Sequence, residues 1–472
     1  MTPKKISAFA IGPIGGALLG FISLPVITWF FSAEDIGRVS MLQVTVSFCV
    51  MFFGLGLDQA YVREFHEKPN SPQLLKNVVL PGFLPLVAAI GVFLFFPEKL
   101  SFWLFDIESS LLGSLVLICL LSAFISRFLS LILRMQEKGL AFSMSQVLPK
   151  VFFLLLIGSY IVSNAEFTTF QLLAAHTFSI IIVCLVFAWN TRSEWFPALK
   201  ASFESSRAKE MLRYSIPLVF GGLAYWGLTA MDKVFLRSMS SLEELGIYSV
   251  AVSFAAAATI FQSIFSTVWA PTVYKWVAAG ENLDKVQEVT RYVLFLVVLL
   301  FCMAGLFSWI IDFILPEAYI NVKYIVVACL GYPLLYTLSE TTVVGIGVTR
   351  KTMYALAASV IALLSNLLGN YLLIPLFGAA GAAVSTCISF WVFFVCRTEF
   401  SIFVWRRIPR RTLYLFTLSC VLLASTTSIL GKEYVNIILL AWFFLLIISL
   451  FFFRSQLYAS SSYVISKLSR IS

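Results

Sequence analysis

YSIPLVFGGLAYWGLTAMDKVFLRSMSSLEELGIYSVAVSF, residues 214–254, is the stretch on which the reading of this chain turns. Its apolar run from Ser215 to Leu236 is long enough to cross a hydrocarbon core of about 30 Å at 1.5 Å per residue. Inside the run sit Pro217, the adjacent Gly221 and Gly222, and the charged neighbours Asp232 and Lys233. A short acidic turn, Ser240 to Gly246, then returns the chain into another apolar run. The stretch follows the longest polar link in the sequence, Asn190 to Arg213, so a second half of the chain begins here.

Outward from this point the same texture continues. Hydrophobic residues make up 60% of the chain and charged residues 12%, about half the charged share of a soluble protein, so this is an integral membrane protein. The apolar residues come in blocks rather than in alternation, which favours a helical bundle over a barrel. The eight cysteines lie in or beside apolar runs and form no C-x-x-C pair, which points to packing rather than disulfides or metal ligands. Lys4 and Lys5 precede an apolar run that extends to Phe31 without a small-x-small cleavage site, so a retained first helix is expected.

Fourteen spans are expected, near 8–31, 39–57, 78–97, 109–133, 145–163, 169–189, 214–237, 245–270, 290–311, 322–346, 353–374, 379–404, 412–430 and 434–453. An even number places both termini on one side. Of the 33 basic residues, 26 fall to the terminal side and 5 (Arg38, Lys99, Arg237, Lys323, Lys432) to the other, with Arg127 and Lys233 inside spans. That asymmetry makes the terminal side cytoplasmic. The net charge of +9 is therefore mostly topology, and no nucleic-acid partner is implied. The order reads as a six-helix lobe (1–189), a cytoplasmic linker (190–213), a second six-helix lobe (214–404), and two further helices with a tail (405–472).

The halves echo one another. Glu34-Asp35-Ile36-Gly37 matches Glu243-Glu244-Leu245-Gly246 at a constant offset of 209. Both turns follow a helix that leaves the cytoplasm, which predicts parallel repeats.

Charges inside spans are costly in lipid and mark partners or watery cavities. Arg127, beside Ser122, Ser126 and Ser130, either snorkels to headgroups or lines a cavity and binds an anion. Asp232 and Lys233, as sequence neighbours, point about 100° apart on a helix and each needs another partner, consistent with an outer gate. Glu340, flanked by Ser339, Thr341 and Thr342, stands as a lone mid-span carboxylate, a candidate for proton or sodium coupling or a hydrogen-bonded structural group. Asn366 and Asn370 share a face and suit either polar glue between helices or a cavity wall. Gly12, Gly16 and Gly20 line one face of the first span for close packing, and Pro13 and Pro25 allow a bend there. His176 and His66 stand apart, so no metal site is expected. No Walker loop or catalytic set is present, which speaks against an enzyme.

Three stretches carry a family likeness: FFSAEDIGRVSMLQVTVSFCVMFFGLGLDQAYVREF (residues 30–65), the opening stretch with Asp232 and Gly246-Ile247-Tyr248, and NLLGNYLLIPLFGAAGAAVSTCISF (residues 366–390). In these the chain resembles the Wzx-type polysaccharide-lipid flippases of the multidrug/oligosaccharidyl-lipid/polysaccharide (MOP) exporter superfamily. The resemblance implies a MATE-like all-α membrane fold that flips a polyprenyl-diphosphate-linked oligosaccharide across a bacterial inner membrane for O-antigen, capsule or exopolysaccharide. Arg63 matches a motif position at the cytoplasmic mouth, where it would meet the diphosphate or cap its helix. No cofactor is implied beyond optional Na+ or H+ coupling. Membrane lipids, and in some systems a polymerase and glycosyltransferases, would be the partners of a monomer. Two other readings stand beside this one: a cation-coupled multidrug exporter of the same superfamily, and a non-transporting scaffold for glycan-assembly enzymes.

Overall fold

The computed structural model describes residues 3–65, 72–281 and 283–457, with the backbone alone at residues 3–11 and 13. His66, Lys68, Lys467 and Arg470, and the side chains of Lys4, Lys5 and Pro13, lie outside the described residues. The described chain is helical throughout: α1 (Pro3–Phe30), α2 (Ala33–Gly54), α3 (Leu57–Phe65), α4 (Pro72–Phe93), α5 (Pro97–Phe105), α6 (Ser110–Met135), α7 (Gly139–Val162), α8 (Thr169–Asn190), α9 (Arg192–Lys200) and α10 (Ser205–Met239). There follow α11 (Leu242–Ala255), α12 (Ala257–Ala278), α13 (Asp284–Phe307), α14 (Val322–Cys329), α15 (Gly331–Val348), α16 (Met353–Val404), α17 (Arg411–Leu430) and α18 (Val435–Phe452). Lipid offers the backbone no hydrogen-bond partner, so apolar runs of this length satisfy their own amides as helices.

Among the described residues nine of these helices, and α14 with α15 as a tenth, are long and apolar enough to cross a membrane, and the pair α11 and α12, bent by 48°, passes the same test together. Dividing α16 at Gly378 and adding α1 and α10 recovers the fourteen expected spans. Several boundaries differ from expectation. The expected span 245–270 is broken at Ala256, and the span 322–346 is two helices meeting at Leu330. The polar link 190–213 is not open chain: it holds α9 and the first turns of α10.

The chain divides into two compact units, residues 1–249 and 250–472. In the first, the small face of α1 lies on α7. A Cβ at Gly12 would stand 2.9 Å from Ser143 Cα, one at Gly16 would stand 3.4 Å from Gln146 O, and one at Gly20 would stand 2.6 Å from Lys150 Nζ. Near the end of α1, Thr28 Oγ1 donates to Leu24 O and Pro25 O, at 3.0 and 3.1 Å.

In the second unit, α16 is a hairpin rather than one rod. Gly378 adopts φ 52° and ψ −126°, a conformation that suits glycine, and the segments 353–377 and 379–404 fold back on each other. Asn366 Nδ2 donates to Thr386 Oγ1 at 3.2 Å, Ser385 Oγ donates to Asn366 O at 3.0 Å, and Asn370 Nδ2 donates to Asn366 Oδ1 at 3.0 Å. All four residues are buried.

Elsewhere in this unit Trp442 is fully buried, its indole N–H donating to Thr427 Oγ1 at 3.0 Å, and its ring fills the space beside Gly305. A Cβ at Gly305 would sit 2.5 Å from that ring. Gly305→Val should therefore destabilise the detergent-solubilised protein by about 1–3 kcal/mol, the usual cost of overpacking. Thermal unfolding followed by tryptophan fluorescence checks this, and an unchanged midpoint would contradict the packing described.

Candidate functional site

The polar groups of the first unit collect in two places. One is the short helix α3. The turn before it runs through Leu55 (φ 51°) and Gly56 (φ 65°), and a Cβ at Gly56 would approach Ser215 O of α10 to 2.9 Å. This is why position 56 is a glycine. The turn delivers Asp58 to Arg127 of α6, whose guanidinium donates to Asp58 Oδ2 at 2.5 Å. Arg127 remains 47% exposed despite this pair. Two turns on, Glu64 accepts both Nε and NH2 of Arg207 at 2.9 and 2.7 Å. Arg63 lies over the ring of Tyr214 at 4.7 Å. The residue expected at the mouth of the path is thus held by α10 through its aromatic face.

The other place is the opposite end of α2 and α10. Arg38 donates to Asp35 Oδ1 at 3.2 Å, to Thr169 Oγ1 at 2.9 Å and to Phe105 O at 3.0 Å, and also pairs with Glu34. Arg237 donates to Leu104 O and Phe102 O at 3.3 and 3.2 Å. Arg38 and Arg237 therefore both hold carbonyls at the carboxyl end of α5, and Arg237 also pairs with Asp106 there.

Between these two arginine clamps the repeat closes on itself. A Cβ at Gly37 would lie 2.0 Å from Leu242 O, and a Cβ at Gly246 would lie 1.8 Å from Ala33 O. Adding the offset of 209 to 33 and 37 gives 242 and 246, so each contact is the image of the other. The caps repeat as well. Ser32 Oγ accepts from Asp35 N and Ser241 Oγ accepts from Glu244 N, both at 3.1 Å. The self-complementary pattern is that of a local two-fold axis between the starts of α2 and α11.

Of the expected gate residues, Asp232 finds its partner in Tyr248 of α11, whose hydroxyl donates to Asp232 Oδ2 at 2.6 Å. Lys233 makes no ion pair among the described residues. A further cation is Lys150. Tallied from the sequence with the cytoplasmic side although it falls inside the expected span 145–163, it stands in the twelfth position of α7, because that helix begins at Gly139, six residues before the expected start. Its ammonium donates to Gly16 O of α1. The run Gly139-Leu-Ala-Phe-Ser-Met-Ser-Gln is polar enough to hide the helix start, and Gly20, which leaves room for the ammonium, was the available signal.

In the second unit, Glu340 is not a lone carboxylate. Arg397, tallied from the sequence with the cytoplasmic side although inside the expected span 379–404, lies within α16 and donates to Glu340 Oε1 at 2.8 Å and to Ser339 Oγ at 2.6 Å. Its guanidinium also lies 4.8 Å from the Phe393 ring centre and 5.2 Å from that of Tyr336. Both partners are only 12% exposed. Removing one member of such a pair strands the other, at a cost of about 3–5 kcal/mol. Arg397→Met should therefore lower the melting temperature sharply, while the double change Glu340→Met with Arg397→Met should recover most of it. Equal melting temperatures for the single and double variants would contradict this account.

Known proteins resemble this chain over much of its length. A family model described as polysaccharide biosynthesis protein matches residues 3–277. The probable low-salt glycan biosynthesis flippase Agl15 of Haloferax volcanii is 22% identical over 389 residues, covering 81% of this chain and 79% of that protein. The capsular polysaccharide biosynthesis protein CapF of Staphylococcus aureus is 21% identical over 408 residues, covering 82% and 96%. Among solved structures, the lipid II flippase MurJ in an inward closed conformation matches over 97% of this chain and 100% of its own, with a TM-score of 0.69 at 16% identity. That last likeness is one of fold.

Proposed function

Because the chain belongs to the polysaccharide biosynthesis protein family, we propose that it is a flippase for a lipid-linked oligosaccharide. In this reading it carries a repeat unit on a polyprenyl diphosphate from the cytoplasmic to the periplasmic leaflet of a bacterial inner membrane, by alternating access, for O-antigen, capsule or exopolysaccharide. Both termini are cytoplasmic, the protein works as a monomer, and the repeating lobes are 1–189 and 214–404. The names of the matched relatives support the substrate class.

The observation that carries the reading is the sign of the charge within the first unit's helices. Arg127, Lys150 and Lys233 lie inside α6, α7 and α10, and only Arg127 is matched by a carboxylate, Asp58. A multidrug exporter for cationic compounds would need the opposite sign. Asp232, the acidic residue in the apolar run of α10, is already engaged by Tyr248. A diphosphate head suits the cations, and an inside-negative potential of 100 mV would favour its outward passage by about 2.3 kcal/mol per charge, hence roughly 5 kcal/mol for two. Proton or sodium coupling, if used, would act through the Glu340–Arg397 pair. At the other end, the Gly37–Leu242 and Gly246–Ala33 contacts form the outer seal, and Asp232 with Tyr248 braces it.

Reconstituted vesicles with a fluorescent polyprenyl-diphosphate glycan test the proposal. The unaltered protein should equilibrate the lipid between leaflets. Arg127→Ala and Lys150→Met should each slow flipping about tenfold or more, the effect of losing roughly 1.4 kcal/mol of interaction with the head. Flipping at the unaltered rate by both variants, at normal protein levels, would remove the anion-binding role. Gly246→Val should also lower flipping, because a side chain there holds the outer seal apart. Full activity in that variant would remove the seal.

A further inference from the structure

The first unit holds an apolar cavity of about 470 Å³ that the proposed transport does not use. It lies where the N-terminal part of α4 and the C-terminal parts of α6 and α8 meet α9. Leu75, Phe83, Phe128, Trp195 and Leu199 contribute its walls, and Lys76 is its single charged lining residue. The volume falls within the range of about 300–1,000 Å³ in which proteins hold small ligands.

Helix α9 has the character of an interfacial helix. Its sequence, RSEWFPALK, carries exposed Phe196 and Leu199 next to charged groups. Arg192 lies over the ring of Trp189 at 4.4 Å, and Lys200 over that of Phe196 at 5.2 Å. Amphipathic segments with basic residues and exposed aromatic rings settle at the headgroup level of a bilayer. A second hollow of about 690 Å³ on the other flank of Trp195 shares Ala188 with the first and brings in Arg192 and Ser193.

Lys76 is fixed at the mouth of the apolar cavity. Its ammonium donates to Leu199 O at 3.0 Å and to Ala201 O at 2.6 Å, which are acceptors left open at the end of α9. Lysine has three N–H donors, so one remains. No carboxylate among the described residues pairs with it. An oily cavity at headgroup level with an unneutralised ammonium at its mouth complements one kind of molecule, an apolar chain that carries a negative charge at its polar end.

We propose that this cavity is a binding site for an anionic phospholipid of the surrounding leaflet. One acyl chain fills the space below Trp195, and the phosphate sits at Lys76, with Arg192 adding positive potential from the far side of that ring. The bound lipid fastens α9 to α4 and so fixes the connection between α8 and α10.

The test uses the purified full-length protein in detergent, with native mass spectrometry after addition of dioleoyl-phosphatidylglycerol or dioleoyl-phosphatidylcholine. Phosphatidylglycerol should be retained in preference to phosphatidylcholine. Lys76→Gln should weaken its retention about fivefold, the typical contribution of one basic residue near an anionic surface. Val79→Trp, which fills the cavity and leaves Lys76 in place, should abolish retention while elution and melting temperature stay normal. Equal retention of the two lipids, or retention unchanged in both variants, would overturn the proposal and leave only annular lipid. Displacement of the phosphatidylglycerol by an equimolar polyprenyl phosphate would also overturn it, assigning the cavity to the tail of the carrier lipid. Because nothing is transported in this experiment, its outcome is separate from that of the flipping assay.

Discussion

Two carbonyl oxygens rest where two side chains would otherwise begin. Leu242 O occupies the position a Cβ would take at Gly37, and Ala33 O does the same at Gly246. Backbone can meet backbone this closely only where no Cβ intervenes, and weak Cα–H···O contacts add to the packing. The reciprocity matters as much as the closeness. A contact that maps onto itself under the repeat offset requires α2 and α11 to start on either side of a two-fold axis. Ser32 and Ser241 cap these helices in the same way, and Arg38 and Arg237 hold the carboxyl end of α5 beside them. A contact made of glycine and carbonyl has no interlocked side chains to withdraw, so as the proposed seal it could part and re-form with little repacking.

The charges follow a second constraint. An ion within an apolar bundle needs a counter-charge, a carbonyl or water. The two units meet this need differently. Glu340 and Arg397 satisfy each other, with Ser339 and two aromatic rings around the guanidinium. In the first unit the cations are met by weaker or partial means: Lys150 by a backbone carbonyl, Arg127 by a carboxylate on one edge. Positive charge is therefore held in reserve there and spent inside the pair in the second unit.

The helical membrane fold was legible because burial in lipid imposes its signature on every span. The resemblance carried by residues 30–65 and 214–254 agrees with the family that matches residues 3–277, and the third stretch, 366–390, lies beyond that match. The repeat Glu34–Gly37 and Glu243–Gly246 was legible too, as was the turn at Gly378. That the two repeated turns touch was not, since a sequence offset sets their equivalence and not the position of the axis. Glu340 looked solitary because its partner comes from a distant helix, and Arg397 near a span end resembles an ordinary interfacial arginine. Lys150 was read near the start of its expected span, 145–163, and its depth in the helix was hidden because α7 begins six residues earlier, at Gly139. The composition of 190–213 showed a polar link, but the amphipathic character of nine residues, 192–200, is too short a pattern to separate from it.

The Arg127–Asp58 pair bears on what a transporter must do. An unpaired guanidinium among apolar helices would be costly, and a fully buried pair would be inert. Asp58 neutralises one edge of Arg127 while nearly half of that side chain stays exposed. A diphosphate arriving there would compete with, or add to, a carboxylate already in place, so the gain on binding is the difference between two favourable interactions. Such a difference is smaller than either, and a translocation site needs that, because a head held too tightly would not leave. The glycine turn at Leu55 and Gly56 thereby acquires a purpose beyond connecting two helices. It sets the carboxylate beside the cation, and under the proposed function the backbone conformation of that turn would set the strength of substrate binding.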